Sequence, residues 1–257
     1  MLRGMYSSVS AMINLQASQE VISNNMANIN TTGYKSEHVI SKTFEDMMLS
    51  NKDRYLNGKG RKQNLGVLNP GVRIDKISTD YSQGLLVETN NNTDFSIEGK
   101  GFFTIKDNNG NTRYSRDGGF KIDNSGYLVN SSGYQVMGIN KNSNKLEPIR
   151  VGNSKITMDK NNNILLDSKV GYKFKIVDFA DHNDLKKAGQ NLIDGENPTT
   201  VNDYKIRNGC KEKSNVDIID VTASLMVNLR AFEANQKVVQ IMDSTLSKMA
   251  NEIGNVR

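Results

Sequence analysis

Apolar residues recur at alternating three- and four-residue spacing at both ends of this chain, and in short runs broken by turn residues through its middle. From Tyr6 to about Asn28 there is no Pro or Gly, and two interleaved stripes run through the segment. One holds Met5, Val9, Met12, Gln16, Gln19, Ser23 and Met26; the other holds Ala11, Leu15, Ser18, Ile22, Asn25 and Ile29. That period predicts a helix, but small and polar residues dilute both stripes, so the helix is marginal alone. The run NNMANINTTGYKSE, Asn24 to Glu37, then ends it with Thr31, Thr32 and a candidate positive-φ Gly33. The strongest periodic signal lies at the other end, through Ile218, Val221, Leu225, Asn228, Phe232, Asn235, Val239, Met242, Leu246, Met249 and Ile253. Ser214 and Asp217 stand at capping-box spacing just before it. The two Asn on this stripe are polar interruptions of the kind that fix register at a cost in stability.

Between the helices the grammar is β. The segment GFFTIKDNNGNTRYSRDGGFKIDNSGYLVNSSGYQVMGI places runs of Phe, Ile, Tyr and Val between Asn-Gly and Ser-Gly steps, the signature of successive hairpins. Residues Asn51 to Gly71, rich in Gly, Asn and Lys, show no clear period and read as a long exposed loop. The expected organisation is a first helical segment over 1–50, a loop over 51–71, a β body over 72–206 and a C-terminal helical segment over 207–257. The fold class is mixed and mainly β: an elongated all-β central body flanked by N- and C-terminal α-helices that pair as a coiled-coil-like core on assembly. The terminal stripes are too long for a small β domain to cover, so they either close on each other or meet other subunits.

Composition narrows the function. Only 36% of the 257 residues are hydrophobic and Trp is absent, which gives a thin core for this length and argues against a compact enzyme. The net charge of +5 comes from basic residues scattered among acidic ones, the pattern of a solvated surface rather than a nucleic-acid footprint. The basic loop carries only Tyr55 for stacking on bases. One cysteine, Cys210, excludes an internal disulfide and a cysteine-based structural zinc site; it reads as a surface or half-buried thiol without a role. Gly99-Lys100-Gly101 lacks the remaining glycine spacing of a phosphate loop and reads as a turn or bulge. Asp178, Asp181 and Asp184 with His182 lack an EF-hand pattern and read as a solvated loop. No catalytic, cofactor-binding or metal-binding residue is expected. No acidic pair is marked for glycoside hydrolysis, so a cell-wall-acting enzyme is the weaker alternative. The N-terminal stretch has no continuous apolar core of a cleavable signal, and no window approaches the roughly 18 apolar residues of a membrane span.

NNMANINTTGYK resembles the N-terminal signature of the flagellar rod and hook family of axial proteins. IEGKGFFTI, Ile97 to Ile105, is similar to that family's central motif, and Arg113 to Gly138 to the β segment that follows it. SNVD and RAFEANQKVVQIMDSTLSKM, Arg230 to Met249, resemble its C-terminal helix. Within the family, the chain length and the segment Asn51 to Gly71 are most like the distal rod type. The sequence GCKEK, Gly209 to Lys213, departs from the family's usual run before SNV, and a proximal rod or hook-related paralogue stays open.

The resemblance implies a structural subunit of the basal-body rod that self-assembles into a helical tube and transmits torque from motor to hook. It implies export through the flagellar type III apparatus without a cleaved signal, and a place in the basal body outside the cytoplasmic membrane. The partners implied are the chain itself, other rod and hook subunits and the export apparatus, with no nucleic acid and no membrane insertion. The assembly residues expected are Leu225, Phe232, Val239, Met242, Leu246 and Met249 on the last stripe, against Val9, Met12, Leu15, Ile22 and Met26 on the first helix.

Overall fold

The computed structural model describes residues 2–56, 59–141, 143–159, 161–167, 169–182, 185–201 and 203–254. Helices stand at both ends with strands between them, and the chain divides into two compact units. The first unit comprises Met1–Met26, Glu37–Ser78 and Ile218–Arg257; the second comprises Ala27–Ser36 and Thr79–Asp217.

The first unit contains helix α1, Leu2–Ala27, and helix α2, Ile218–Gly254. At 1.5 Å per residue these are about 39 Å and about 55 Å long. Gly4 of α1 lies where a side chain would stand 3.0 Å from Cε of Met242, so its bareness lets α1 approach α2 closely. Four strands accompany the helices: β1, Glu37–Thr43; β2, Met47–Leu56; β3, Lys59–Leu68; and β4, Val72–Thr79. β1 pairs with β4, and β2 with β3. Asparagines on α1 hold β1 in place. The Asn25 amide donates to Glu37 O at 2.7 Å and accepts from Glu37 N at 3.0 Å, imitating a strand neighbour, and Asn14 exchanges hydrogen bonds with the Ser41 hydroxyl. The Asn-rich end of the first helix is therefore part of its attachment to the next strand.

The expected loop over Asn51 to Gly71 is instead mostly an antiparallel hairpin. Met47 pairs with Leu68, Met48 with Val67 and Leu49 with Gly66, and register shifts lie beyond Leu49 and Asn51. Backbone pairing does not require β-branched residues, and with Asn, Lys and Gly at the alternating positions the two-residue period is hidden from the sequence. Asn57 and Gly58, between these strands, lie outside the described residues. The unit boundaries also differ from the expected segments: β4 groups with the helices, and residues 207–217, expected with the C-terminal helix, group with the β body. The helix begins at Ile218, so Ser214 is not its cap; its hydroxyl accepts from Val216 N at 3.2 Å, one turn ahead.

The second unit is the β body. It includes β5, Leu86–Glu88; β6, Phe95–Gly99; β7, Phe102–Lys106; and β8, Thr112–Ser115. An antiparallel path runs from Ile156–Met158 through Asn163–Leu166, Lys169–Phe174 and Gln135–Asn140 to β7 and β8, then to Leu192–Asp194 and Lys186–Gly189. β6 pairs with Tyr204–Asn208, and β5 with Cys210–Glu212. β7 is buried on both faces. Phe103 and Ile105 enter a core with Phe95, Phe120 and Phe174, while Phe102 joins Tyr114, Val177, Phe179 and Ile193 on the other side. Phe103 meets Phe120 and Phe174 edge-on at centroid distances of 5.2 and 5.3 Å, the favoured aromatic geometry. Turns follow the expected chemistry: in KDNNGN, Gly110 takes φ 84° and its N–H donates to Asp107 O, closing the β7–β8 hairpin.

Gly33 has φ 67°, and a Cβ there would lie 2.5 Å from Asp117 N and 2.6 Å from Arg116 C. Gly133 has φ 84° with open space around it. Gly33→Ala is expected to destabilise the body by about 2–4 kcal/mol, from backbone strain and steric overlap together, and Gly133→Ala by only about 1–2 kcal/mol, from strain alone. Denaturant midpoints of the two variants check the difference.

Candidate functional site: a buried charge junction and exposed apolar faces

Three segments distant in sequence meet at one carboxylate inside the β body. Glu212 is 1% exposed. Its Oε1 accepts from Lys35 Nζ at 2.6 Å and from Gly84 N at 2.9 Å, and its Oε2 accepts from Arg116 Nε at 2.7 Å. The rest of the Arg116 guanidinium donates to the carbonyls of Ile97, Gly99 and Gly101, and Lys35 Nζ also donates to Ser82 O at 2.6 Å. Burial pulls the Lys35 ammonium below its ordinary value, the attraction of Glu212 opposing it only in part.

The chain around Lys35 is fastened just as closely. Gly33 N donates to Glu212 O at 2.8 Å, and Thr32 Oγ1 to Asp117 Oδ1 at 2.7 Å. Burial raises the Asp117 carboxyl above the ordinary range, although Gly119 N and Thr32 both donate to it. The Asn215 side chain accepts from Ser36 N and donates to Asp80 O, and Lys187 stands 4.4 Å over the Tyr34 ring. TTGYKS, GKG, SRDGG and CKEKSN thus form one junction. Both carboxylate oxygens of Glu212 and its two cations are engaged with each other or with backbone carbonyls. The arrangement is suited to fastening, because each cation is held by Glu212 and by backbone carbonyls at once.

Lys35, Arg116 and Glu212 are the residues that reading the sequence missed. Each lies inside a segment singled out there, yet no local pattern marks them, because their partners are 96 and 177 residues away. Gly99 and Gly101 form a corner with φ 110° and 120°, in agreement with the turn expected for GKG, and their carbonyls receive Arg116. Cys210, expected at the surface or half-buried, is buried in the strand beside β5, and burial pushes its thiol up. Among the described residues no three His, Cys, Asp or Glu side chains group to hold a metal ion. Asp178 is paired with His182 at 2.9 Å, and Asp184 lies outside the described residues.

The residues expected at the assembly surface belong to the first unit. Leu225, Phe232, Val239, Met242, Leu246 and Met249 all lie on the less exposed side of α2 and are half-buried. On α1, Met12, Leu15, Ile22 and Met26 are half-buried and Val9 is exposed. Met242 is brought to α1, at Gly4. A second apolar set was not anticipated. Ile219, Met226, Val227 and Ile241 on the opposite side of α2, Tyr6 and Ile13 on α1, and Met47, Met48, Leu65 and Val67 on the β2–β3 hairpin are each more than half exposed. Covering a large apolar side chain contributes about 1.5–3 kcal/mol, so the four on α2 hold roughly 6–12 kcal/mol of association free energy. Their signal in the sequence is the presence of apolar residues off the heptad stripe, which makes α2 apolar on two sides. No helix among the described residues is long and apolar enough to cross a membrane.

Comparison with known proteins finds the flagella basal body rod protein family over residues 5–35, the flagellar hook protein FlgE/F/G D1 domain over 96–170, and the flagellar basal body rod FlgEFG protein C-terminal family over 207–252. The chain is 32% identical over 270 aligned residues to the flagellar basal-body rod protein FlgG of Bacillus subtilis, covering 98% of this chain and 99% of that protein. It is 28% identical to the flagellar hook-basal body complex protein FlhO of the same organism, over the whole of both chains. It is 41% identical over 145 residues to the flagellar hook protein FlgE of Treponema pallidum, covering 54% of this chain and 30% of that one.

Glu212→Leu leaves Lys35 and Arg116 buried without a counter-charge and is expected to destabilise the body by about 3–5 kcal/mol. Lys35→Met leaves Glu212 with Arg116 and Gly84 N, and is expected to cost about 1–3 kcal/mol. Chemical denaturation of both variants tests the order. Equal losses would mean that the two cations do not share the carboxylate as described.

Proposed function

The chain belongs to the flagellar basal-body rod and hook family, and from that premise we propose that it is a structural subunit of the rod, of the distal type. In this reading copies self-assemble into a helical tube that carries torque from motor to hook, together with other rod and hook subunits, in the basal body outside the cytoplasmic membrane. The observation that carries it is the apolar surface of the first unit: helices and hairpin keep more large hydrophobic side chains exposed than a free-standing chain needs. Assembly covers them, with Leu225, Phe232, Val239, Met242, Leu246 and Met249 of α2 and Val9, Met12, Leu15, Ile22 and Met26 of α1 forming the helical seam. Ile219, Met226, Val227 and Ile241 on the opposite face of α2 give the same helix a second neighbour.

The role is mechanical and needs no catalysis. Stiffness comes from interdigitated helices and resistance to twist from lateral contacts between β bodies. The subunit leaves the cell through the flagellar export apparatus as an unfolded chain. The absence of any disulfide partner for Cys210 and the thin core suit passage through a narrow channel. Likeness to the hook-basal body complex protein along the whole chain favours, as a second reading, a proximal or hook-associated position in the same axial structure.

Phe232→Asp or Leu246→Asp, and separately Ile241→Asp, are expected to abolish incorporation into rods and motility while the β body keeps its wild-type melting transition. Electron microscopy of basal bodies from complemented deletion strains, beside calorimetry of the purified variants, checks this. Normal rods built from all three variants would overturn the reading, and the length of the stub left by the deletion distinguishes a distal from a proximal position.

A further inference from the structure

An asparagine followed by glycine is a reactive pair as well as a turn signal. Glycine has no side chain to hold its backbone nitrogen away from the preceding carboxamide, so that nitrogen can attack it. The pair occurs three times in this chain, at Asn57-Gly58, Asn109-Gly110 and Asn208-Gly209. The first lies outside the described residues. The fold treats the other two in opposite ways.

Asn109 and Gly110 are both exposed at the tip between β7 and β8. The Asn109 side chain has no hydrogen-bond partner among the described residues, and the space beside the Gly110 Cα is empty to 4 Å. The attacking nitrogen, Gly110 N, is restrained by a single bond of 2.9 Å to Asp107 O, beyond the end of the ladder at Lys106 and Thr112. Asn208 is instead half-buried and tethered. It pairs with Phe95 at the end of the strand Tyr204–Asn208, and its amide donates to Asn92 O at 2.8 Å. Gly209 N donates to Asp94 O at 2.8 Å, and Gly209 O accepts from Thr89 N at 2.7 Å. Bringing Gly209 N onto the Asn208 carboxamide breaks these bonds together. At Asn109 only the turn bond has to open, and opening of an exposed tip is the least costly motion of a folded chain.

We propose that Asn109 is a site of spontaneous modification, where Gly110 N and water convert the carboxamide to a carboxylate. Base takes the Gly110 N proton, the nitrogen forms a bond to Asn109 Cγ, and the Cγ–Nδ2 bond breaks. Nδ2 leaves as ammonia with a proton returned by the base, and the closed ring is a succinimide. Water opens the ring at either carbonyl, its hydroxyl going to carbon and its proton to the ring nitrogen. The net change consumes one water and releases one ammonia, with no oxidant or reductant. Opening at Cγ gives aspartate; opening at the backbone carbonyl gives isoaspartate, which adds a carbon to the backbone of the loop. Either product sets a new carboxylate near Asp107 and lowers the net charge by one unit. The core stays closed, because β7 and β8 are paired below the tip from Phe103 with Ser115 to Lys106 with Thr112. The modification is independent of the rod-subunit reading.

The test incubates the purified full-length protein in mildly alkaline buffer made with heavy-oxygen water, digests it in acid, and maps the peptides by mass spectrometry. The heavy oxygen marks only carboxyl groups formed during the incubation, and an isoaspartyl methyltransferase with labelled methyl donor identifies the isoaspartate. Labelled product at Asn109 is expected to exceed that at Asn208 by about tenfold or more in the folded protein. In denaturant the two sites are expected to react at similar rates. Asn109→Gln is expected to abolish labelling at the tip, because its longer side chain closes the less favoured six-membered ring. An unlabelled Asn109 peptide, or labelling at Asn208 that equals it in the folded protein, would overturn the inference. So would a difference between the sites that persists undiminished in denaturant, since the local sequence and not the fold would then set it.

Discussion

A single buried carboxylate ties together segments of the β body that lie far apart in the sequence. Removing Glu212 from water is tolerable only because Lys35, Arg116 and the Gly84 N–H all reach it, and each of those groups comes from a different stretch of chain. Burial costs several kcal/mol per ion, so the body cannot close around this group until the segment after α1, the strands near Arg116 and the strand Cys210–Glu212 are all present. The same geometry explains the bare backbone at Gly33, which lies against Arg116 and Asp117 and donates to Glu212 O. It also explains why Gly99 and Gly101 turn their carbonyls toward a guanidinium. What look like four independent motifs along the sequence are joined by one set of hydrogen-bonded polar groups.

The two units solve the burial problem in opposite ways. The β body hides its phenylalanines in a closed aromatic core and pairs Glu212 with Lys35 and Arg116 inside it. The helical unit leaves Met226, Val227 and Ile241, and the hairpin residues Met47, Met48, Leu65 and Val67, in solvent. A chain folded for its own stability would not do this, because each exposed side chain forgoes about 1.5–3 kcal/mol. A subunit folded for a polymer can, since the missing contacts arrive with its neighbours. Full-length similarity to a rod protein and the exposed faces of α1 and α2 therefore lead to the same conclusion by different routes.

Much of this was legible in advance. The α2 stripe from Val221 to Met249 fell on the less exposed side of the helix because a 3.6-residue repeat is a purely local property that folding does not alter. The hairpins around Asn-Gly and Ser-Gly steps were legible for the same reason. The β2–β3 hairpin was not, because its pairing is backbone to backbone and its polar side chains carry no alternation. The heptad pattern marks only one side of α2, whereas Ile219, Met226, Val227 and Ile241 make its other side apolar as well.

The sequence by itself determined the helical ends, the β middle, the lack of an internal disulfide within these residues and the family resemblance, since each rests on short-range periodicity, residue counts or contiguous motifs. The tertiary structure alone decided that Lys35, Arg116 and Glu212 share one buried site, that Cys210 is enclosed, and that of Asn228 and Asn235, alike in the pattern, the first is buried and the second only half-buried. The physical reason is range. Propensity and periodicity act over a few residues, whereas a buried charge is made stable by partners that only the folded chain brings within hydrogen-bonding distance.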